Sequence, residues 1–270
     1  MAELLIHSMS EFGELILAAL DLADAREIVE IGAEFGGMSQ LLADHAAARG
    51  GRLTSVDPAP KPAFTAWAAD RPHVRHLAEP SLQAIPTTAD VDAWVIDGDH
   101  NWYTVYNELL LIDEACRRDG KPLLAFLHDV AWPSGRRDMY YAPDTIPAEF
   151  RHPHSYEGGA FPGDPVLRLN RGFRGMGRFA WALREGGPRN GVLTAVEDFV
   201  AERYAVGREL GFAEVPAVFG LGVLFDLDAP WSGALAELLV PYHDNALIRS
   251  LERNRLLNYL RVIDMQDMAA

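Results

Sequence analysis

The stretch that most constrains the fold runs from Arg26 to Asp57. A short apolar run, Ile28, Val29 and Ile31, ends in a turn that contains Gly32, Gly36 and Gly37, and glycine lets a backbone turn sharply and approach a ligand closely. Apolar residues then recur at helical spacing, at Met38, Leu41, Leu42 and Ala46. A second apolar run, residues 53–56, is closed by Asp57. This order of strand, glycine turn, helix, strand and acid predicts a nucleotide-binding βαβ unit.

The glycine spacing differs from the Gly-x-Gly-x-x-Gly of dinucleotide enzymes and disfavours a nicotinamide dehydrogenase. The run Glu30-Ile31-Gly32-Ala33-Glu34-Phe35-Gly36-Gly37, with Asp57, instead resembles the first two motifs of class I S-adenosylmethionine (SAM)-dependent methyltransferases. The resemblance implies that the glycine turn passes under the methionine part of SAM, that Glu30 orients the turn and that Asp57 holds the ribose. The expected cofactor-binding residues are Glu30, Gly32, Ala33, Phe35, Gly36, Gly37, Asp57, Ser81 and Asp97. The alternative is an ordinary βα turn that uses glycine for backbone reasons alone.

Composition restricts the class of protein. At 270 residues, of which 49% are hydrophobic and 23% charged, the chain is expected to be one domain, 1–270, with a sizeable insertion. A net charge of −15 argues against a nucleic-acid partner, because binding phosphates needs a basic surface. The single cysteine, Cys116, excludes an internal disulfide and fits a reducing compartment. No apolar run reaches membrane-spanning length and the first residues do not resemble a leader, so we expect a cytoplasmic protein with no membrane partner.

Two later strands end in polar side chains. The apolar run 94–96 is followed by Asp97-Gly98-Asp99-His100, and the apolar run 123–127 by His128-Asp129. Ligands of an open parallel sheet bind beyond the carboxyl ends of its strands, so these side chains are expected in the same crevice as Gly32 and Asp57. Imidazole titrates near neutral pH, which makes His100 and His128, assisted by Asp99, the candidate catalytic residues. The alternative is that the histidines cap a helix or satisfy core backbone groups.

The acids suggest a metal site. Asp97, Asp99 and Asp129 offer the hard oxygen ligands that Mg²⁺ prefers. The arrangement resembles small-molecule O-methyltransferases of natural-product pathways, including metal-dependent sugar and macrolide types, although those often carry two acids where this chain has His128-Asp129. It is most similar to a broad bacterial family that shares Asp-Gly-x-His and His-Asp. Since imidazole is a poorer Mg²⁺ ligand than carboxylate, a metal-dependent and a metal-free site remain alternatives.

The stretch 133–190 is dense in Gly, Pro and Arg and has scattered aromatic residues but no long periodic pattern. It is expected to be an irregular insertion that covers the substrate crevice. Its candidate substrate contacts are Arg136, Arg137, Tyr140 and Tyr141, and the alternative for each arginine is an internal ion pair.

Regular patterns return after residue 190, with a helix, strands near residues 212–215 and 223–225, and an amphipathic helical segment, 233–264, interrupted near Pro241. One apolar seam of this last segment is expected to contain Leu247, Leu251, Leu257 and Leu260. The seam fits either a homodimer, or higher homo-oligomer, or packing on the chain's own domain.

These observations predict an α/β fold: a Rossmann-like three-layer sandwich with a seven-stranded, mostly parallel sheet, an insertion after strand 5 and a C-terminal helical segment. The resemblance implies a SAM-dependent methyltransferase acting on a small molecule, with O-methylation of a sugar or secondary metabolite as the expected reaction. N-methylation, another reaction at the same site such as metal-dependent hydroxylation, and a non-catalytic SAM-binding protein are the alternatives. An N-methyltransferase would not need a metal, and a non-catalytic binder would bind SAM without turnover.

Overall fold

The computed structural model of the protein describes residues 7–269. The strands of this part of the chain are β1 Glu27–Ile31, β2 Arg52–Val56, β3 Val74–Leu77, β4 Ala93–Ile96, β5 Leu124–His128, β6 Met139–Tyr140, β7 His154–Ser155, β8 Gly158–Phe161, β9 Asp164–Leu169, β10 Ala180–Ala182, β11 Leu210–Val215 and β12 Leu221–Asp226. The α-helices are α1 Gly13–Leu22, α2 Gly37–Ala48, α3 Pro62–Ala69, α4 Ser81–Ala84, α5 Trp102–Asp119, α6 Val192–Ala205, α7 Ser232–Leu239 and α8 Ala246–Ala269. Short 3₁₀ turns occur at Met9–Phe12, Ile85–Thr87, Pro143–Thr145 and Ala148–Phe150.

Seven strands form one sheet in the order β3-β2-β1-β4-β5-β12-β11. The first five strands are parallel, whereas β12 is antiparallel to both β5 and β11. One face of the sheet packs on α1, α2 and α7, and the other packs on α5 and α6. The predicted three-layer, mostly parallel, seven-stranded fold is therefore confirmed.

The strand order creates a crevice beside β1. The strands that follow β1 in the sequence, β2 and β3, lie on one side of it, and β4 and β5 lie on the other side. Open α/β sheets bind ligands at such a point, where the strand order reverses. Short backbone bonds keep the strand ends together here: the amide of Gly32 donates to Val56 (2.9 Å) and that of Asp97 to Ile31 (2.8 Å). The side chains that follow β1, β2, β4 and β5 consequently meet at one edge of the sheet.

The insertion is regular, and the expectation of an irregular stretch over 133–190 is wrong. Strands β6, β10 and β7 form a three-stranded antiparallel sheet, and β8 pairs with β9 in a hairpin. These strands are two to six residues long, too short to produce the alternation by which a strand is recognised in a sequence. Their pairing depends on contacts between residues far apart in the chain.

The C-terminal segment is interrupted as predicted, because α7 ends at Leu239 and α8 begins at Ala246. The predicted seam is wrong. Leu260 is buried together with Leu256, while Leu247 and Leu251 are 67% and 60% exposed. Two ion pairs join α8 to the insertion: Arg171–Asp264 (2.8 Å) and Arg174–Asp267 (2.7 Å). Within residues 7–269, no helix is both long and apolar enough to cross a membrane.

Candidate active site

The glycine turn lies against the end of β4. Gly32 has a φ of +88°, and a Cβ at this position would collide with the carbonyl oxygen of Asp97 and lie 2.8 Å from the Cα of Gly98. Gly36, with a φ of +81°, precedes the first residue of α2, and no side chain caps this helix. The first amides of α2 therefore lack intrahelical partners, and such an uncapped N-terminus attracts negatively charged groups.

Glu30 connects the turn to its surroundings. One oxygen of its buried carboxyl group accepts hydrogen bonds from Ser39 of α2 (2.6 Å) and Ser55 of β2 (2.8 Å). Burial raises the pKa of Glu30 to about 7, although both hydroxyl donors oppose the shift. The position of Glu30 supports the predicted orienting role, exercised through the start of α2.

Asp57 closes the turn from the side of β2. One of its oxygens accepts from the amides of Ala33 (3.0 Å) and Glu34 (3.1 Å), and the other accepts from Ala59 (2.8 Å). The carboxylate is half-buried, and the oxygen that accepts only from Ala59 keeps a lone pair that a further hydroxyl donor could use. An uncapped helix N-terminus and a fixed carboxylate at the end of β2 thus lie side by side at this edge of the sheet.

Four side chains after β4 and β5 form what we call the His–Asp cluster: Asp97, His100, His128 and Asp129. The Nε2 atom of His100 lies 2.7 Å from a carboxylate oxygen of Asp129 and 3.4 Å from one of Asp97. The Nδ1 atom of His128 lies 3.1 Å from Asp97 and 3.4 Å from Asp129. Asp129 has a left-handed φ of +61°, which aspartate tolerates better than most residues.

The cluster holds its imidazoles as cations. Burial lowers the pKa of His100, but the charges of Asp129 and Asp97 outweigh it and keep the pKa well above 6.5. Burial is likewise outweighed at His128, where Asp97 and Asp129 raise the pKa to about 9. His128 also contacts the carbonyl of Val218 through Nε2 (2.8 Å), so both ring nitrogens face acceptors and both are expected to carry hydrogen.

Three residues of the cluster could hold a metal ion. One ligand atom from each of Asp97, His100 and Asp129 lies within 4.8 Å of the others. His100 would have to lose its proton to become a ligand, so binding would depend on pH. Two carboxylates and one imidazole fit a divalent cation, although three carboxylates would suit Mg²⁺ better.

The structure does not bring Asp99 into this set. Its carboxylate accepts a hydrogen bond from Thr104 in the first turn of α5 (3.3 Å), and burial raises its pKa. Ser81 begins α4, and the 52% exposed ring of Phe35 lies under the ammonium of Lys61 (5.5 Å). Their predicted contacts with SAM stay predictions.

Two of the four predicted substrate contacts point into the insertion, and this corrects the sequence reading. Arg137 is fully buried and donates to the carbonyls of Ala182 (2.6 Å) and Pro165 (3.1 Å). Tyr140 is 1% exposed and donates to Asp138 (2.7 Å). Both side chains therefore find their partners within the insertion rather than at the crevice.

The other two candidates differ from each other. Arg136 is paired with Glu197 of α6 (2.6 Å), which agrees with the internal ion pair given as its alternative. Tyr141 is 52% exposed and its ring centroid lies 6.1 Å from that of His100. Of the four, Tyr141 is the one that borders the His–Asp cluster.

Asp138 is an important residue that the sequence reasoning did not select. Its buried carboxylate accepts from the amides of Trp102 (2.7 Å) and Gly191 (2.7 Å) as well as from Tyr140. Next to it, the amide of Met139 donates to the carbonyl of His100 (3.0 Å). Asp138 thus fastens the insertion beside the catalytic candidates, and only its position directly after two arginines could have drawn attention to it.

Comparisons with known proteins find one family match and a set of similar solved structures. Residues 29–130 match the family model of a methyltransferase domain. A comparison with curated proteins finds no match. Similar solved structures include the methyltransferase PaMTH1 of Podospora anserina bound to S-adenosylhomocysteine (SAH), at 14% identity over 83% of this chain and 81% of that chain with a TM-score of 0.48. An O-methyltransferase from Bacillus cereus in complex with SAH is 17% identical, with 84% of each chain covered and a TM-score of 0.46. The O-methyltransferase TomG from Streptomyces achromogenes in complex with SAM is 16% identical, with 82% of each chain covered and a TM-score of 0.45.

The sheet order and the crevice between β1 and β4 define a Rossmann-like α/β protein. The matched residues 29–130 include the glycine turn, Asp57 and the whole His–Asp cluster. In residues 29–130 the chain is therefore similar to a methyltransferase domain.

Proposed function

We propose that the protein transfers the methyl group of SAM to a hydroxyl oxygen of a small molecule, such as a sugar or a secondary metabolite. The observation that carries this proposal is the convergence of Asp97, His100 and Asp129 within 4.8 Å at the end of β4 and β5. A hydroxyl becomes a good nucleophile when a base takes its proton or a cation stabilises its anion. The cluster provides an imidazole for the first route and two carboxylates that can hold a cation for the second.

SAM, when bound, supplies an activated methyl group, and the chain supplies orientation. Gly32, Glu30 and Asp57 would hold the cofactor beside the His–Asp cluster, where the acceptor hydroxyl would bind. The cofactor would supply the methyl group to that oxygen and would leave as SAH. In the metal-free route, the hydroxyl proton passes to Nδ1 of a neutral His100, the ring nitrogen that has no partner among the described residues, because Nε2 donates to Asp129.

The two routes require different states of His100. As a base it must be neutral, although in the ligand-free chain Asp129 and Asp97 hold its pKa above 6.5. A divalent cation such as Mg²⁺ on Asp97 and Asp129 would repel the imidazole proton, and His100 would then be a third ligand rather than the base. Cation binding is therefore expected to release protons, which calorimetry in buffers of different ionisation enthalpy measures directly.

Methyl transfer is tested by the formation of SAH from SAM with a panel of hydroxylated acceptors, with and without Mg²⁺ or EDTA. His100→Ala is expected to lower kcat/KM by about 10²–10⁴-fold in the metal-free route. His243→Ala, at an exposed residue after α7, is the matched control and should leave kcat/KM unchanged. Activity that survives EDTA supports His100 as the base, and activity that EDTA abolishes supports the cation.

Two results would contradict the proposal. If the folded protein binds neither SAM nor SAH in calorimetry, the cofactor assignment fails. If SAM binds equally well to the native protein and to His100→Ala, and no acceptor in the panel yields SAH above the buffer rate, the protein binds SAM without catalysis.

A further inference from the structure

A row of aromatic rings begins at the His–Asp cluster and crosses the insertion. The ring centroids of Tyr141 and Phe179 lie 6.2 Å apart, those of Phe179 and Phe173 6.3 Å, and those of Phe173 and Trp132 6.1 Å. Tyr141 itself is 6.1 Å from His100. We call Trp132, Tyr141, Phe173 and Phe179 the aromatic wall.

The aromatic wall keeps part of its surface free. Tyr141 is 52% exposed, and the other three side chains are half-buried. Large aromatic side chains with exposed faces that lie together beside a polar cluster are typical of a small-molecule site.

The wall is held in place from behind. Trp181 of β10 is fully buried, packs edge-on against Phe179 (5.2 Å) and donates its indole N–H to the carbonyl of Phe173 (3.1 Å). Strand β10 pairs with β6, which Met139 joins to the carbonyl of His100. The distance from the aromatic wall to the catalytic candidates is thus fixed by paired strands, and a ring bound to the wall would have a defined distance to His100.

We propose that the acceptor is an aromatic compound with a ring hydroxyl, whose ring packs on Tyr141, Phe179 and Phe173 while its hydroxyl reaches His100 and Asp129. This inference rests on the proposed function and narrows its acceptor from hydroxylated small molecules in general to phenols.

The acidity of the acceptor hydroxyl favours the same class. A phenol has a pKa of about 10, as in tyrosine, and therefore gives up its proton at comparatively little cost. An aliphatic hydroxyl, as in a sugar, is a far weaker acid. A sugar also carries several further hydroxyls, and each of them needs a hydrogen-bond partner when buried. The partly exposed faces of Phe173 and Phe179 are hydrocarbon and offer no such partners.

The test measures binding to the SAH-loaded protein by ligand-observed NMR, with catechol as the aromatic probe and methyl glucoside as the sugar probe. Catechol is expected to bind saturably and methyl glucoside not. Tyr141→Leu and Phe179→Leu keep apolar volume but remove the rings, and each should weaken catechol binding about 2–10-fold, the equivalent of one aromatic contact. Tyr204→Leu, at a 69% exposed tyrosine of α6, is the matched control and should leave binding unchanged.

The outcomes separate this inference from the proposed function. Failure of SAH to bind would overturn the cofactor assignment itself. If SAH binds but catechol does not, or if catechol binds equally to the native protein and to both ring-removing variants, the aromatic acceptor is wrong while the methyltransferase assignment stands. Saturable binding of methyl glucoside in place of catechol would identify a sugar-type acceptor instead.

Discussion

Gly32→Ala tests whether the close packing of the glycine turn on the backbone at the end of β4 stabilises the protein. At a φ of +88° an alanine is strained, at a cost of about 1–2 kcal/mol. Its Cβ would also collide with the backbone of Asp97 and Gly98. Backbone atoms cannot rotate away as a side chain can, so overpacking adds about 1–3 kcal/mol. The expected loss in the free energy of unfolding is about 2–5 kcal/mol.

Gly50→Ala is the matched control for this substitution. Gly50 has a φ of +70°, but a Cβ there would meet nothing within 4 Å. It should therefore show only the conformational cost of about 1–2 kcal/mol. The difference between the two variants in the free energy of unfolding therefore measures the cost of the collision with Asp97.

Urea denaturation followed by circular dichroism measures both variants, and calorimetry with SAH measures the effect on the site. Gly32→Ala is expected to weaken SAH binding because β4 must move away from the turn, whereas Gly50→Ala lies at the opposite end of α2 and should bind normally. Equal stability of the two variants, together with unchanged SAH affinity in Gly32→Ala, would refute the packing argument.

Three further predictions concern other parts of the molecule. Because burial raises the pKa of Glu30 from 4.5 to about 7, the native chain binds more protons than the unfolded chain in this range, and its stability should fall by roughly 3 kcal/mol as pH rises through it. Urea denaturation at several pH values should show that Glu30→Gln lacks this loss of stability. If the free energies of unfolding of the native protein and of Glu30→Gln differ by the same amount at every pH, the prediction is contradicted. Asp129→Asn should abolish proton-coupled binding of Mg²⁺ in calorimetry, and binding at native affinity would remove Asp129 from the metal site. Leu260→Ala should lower the free energy of unfolding by about 2–5 kcal/mol, whereas Leu251→Ala should change it by less than about 0.5 kcal/mol, and equal losses would mean that α8 packs through another face.

Local order along the chain was sufficient to predict the fold and the position of the crevice. The turn from Glu30 to Gly37 and the acid Asp57 lie within one βαβ unit, where spacing reflects backbone geometry directly. The long apolar run before His128 indicated a central strand, because both faces of such a strand are covered. From these features the sequence predicted that polar groups after β1, β2, β4 and β5 lie at one edge of the sheet.

Tertiary structure decided which of these side chains meet. Asp97 and Asp99 are two residues apart, yet Asp97 reaches the histidines while Asp99 contacts Thr104. The sequence fixes where a strand ends but not the direction that a side chain takes in the turn beyond it.

The insertion depended even more on distant contacts. Asp138 reaches Trp102 and Gly191, which are 36 and 53 positions away, and these bonds bury Tyr140 and leave Tyr141 exposed beside His100. Strands of two or three residues gain their pairing energy only when such partners are in place, so no local pattern could have predicted them. The glycine turn and Asp57 were readable from the sequence alone, whereas the placement of Tyr141 beside His100 exists only in the folded chain.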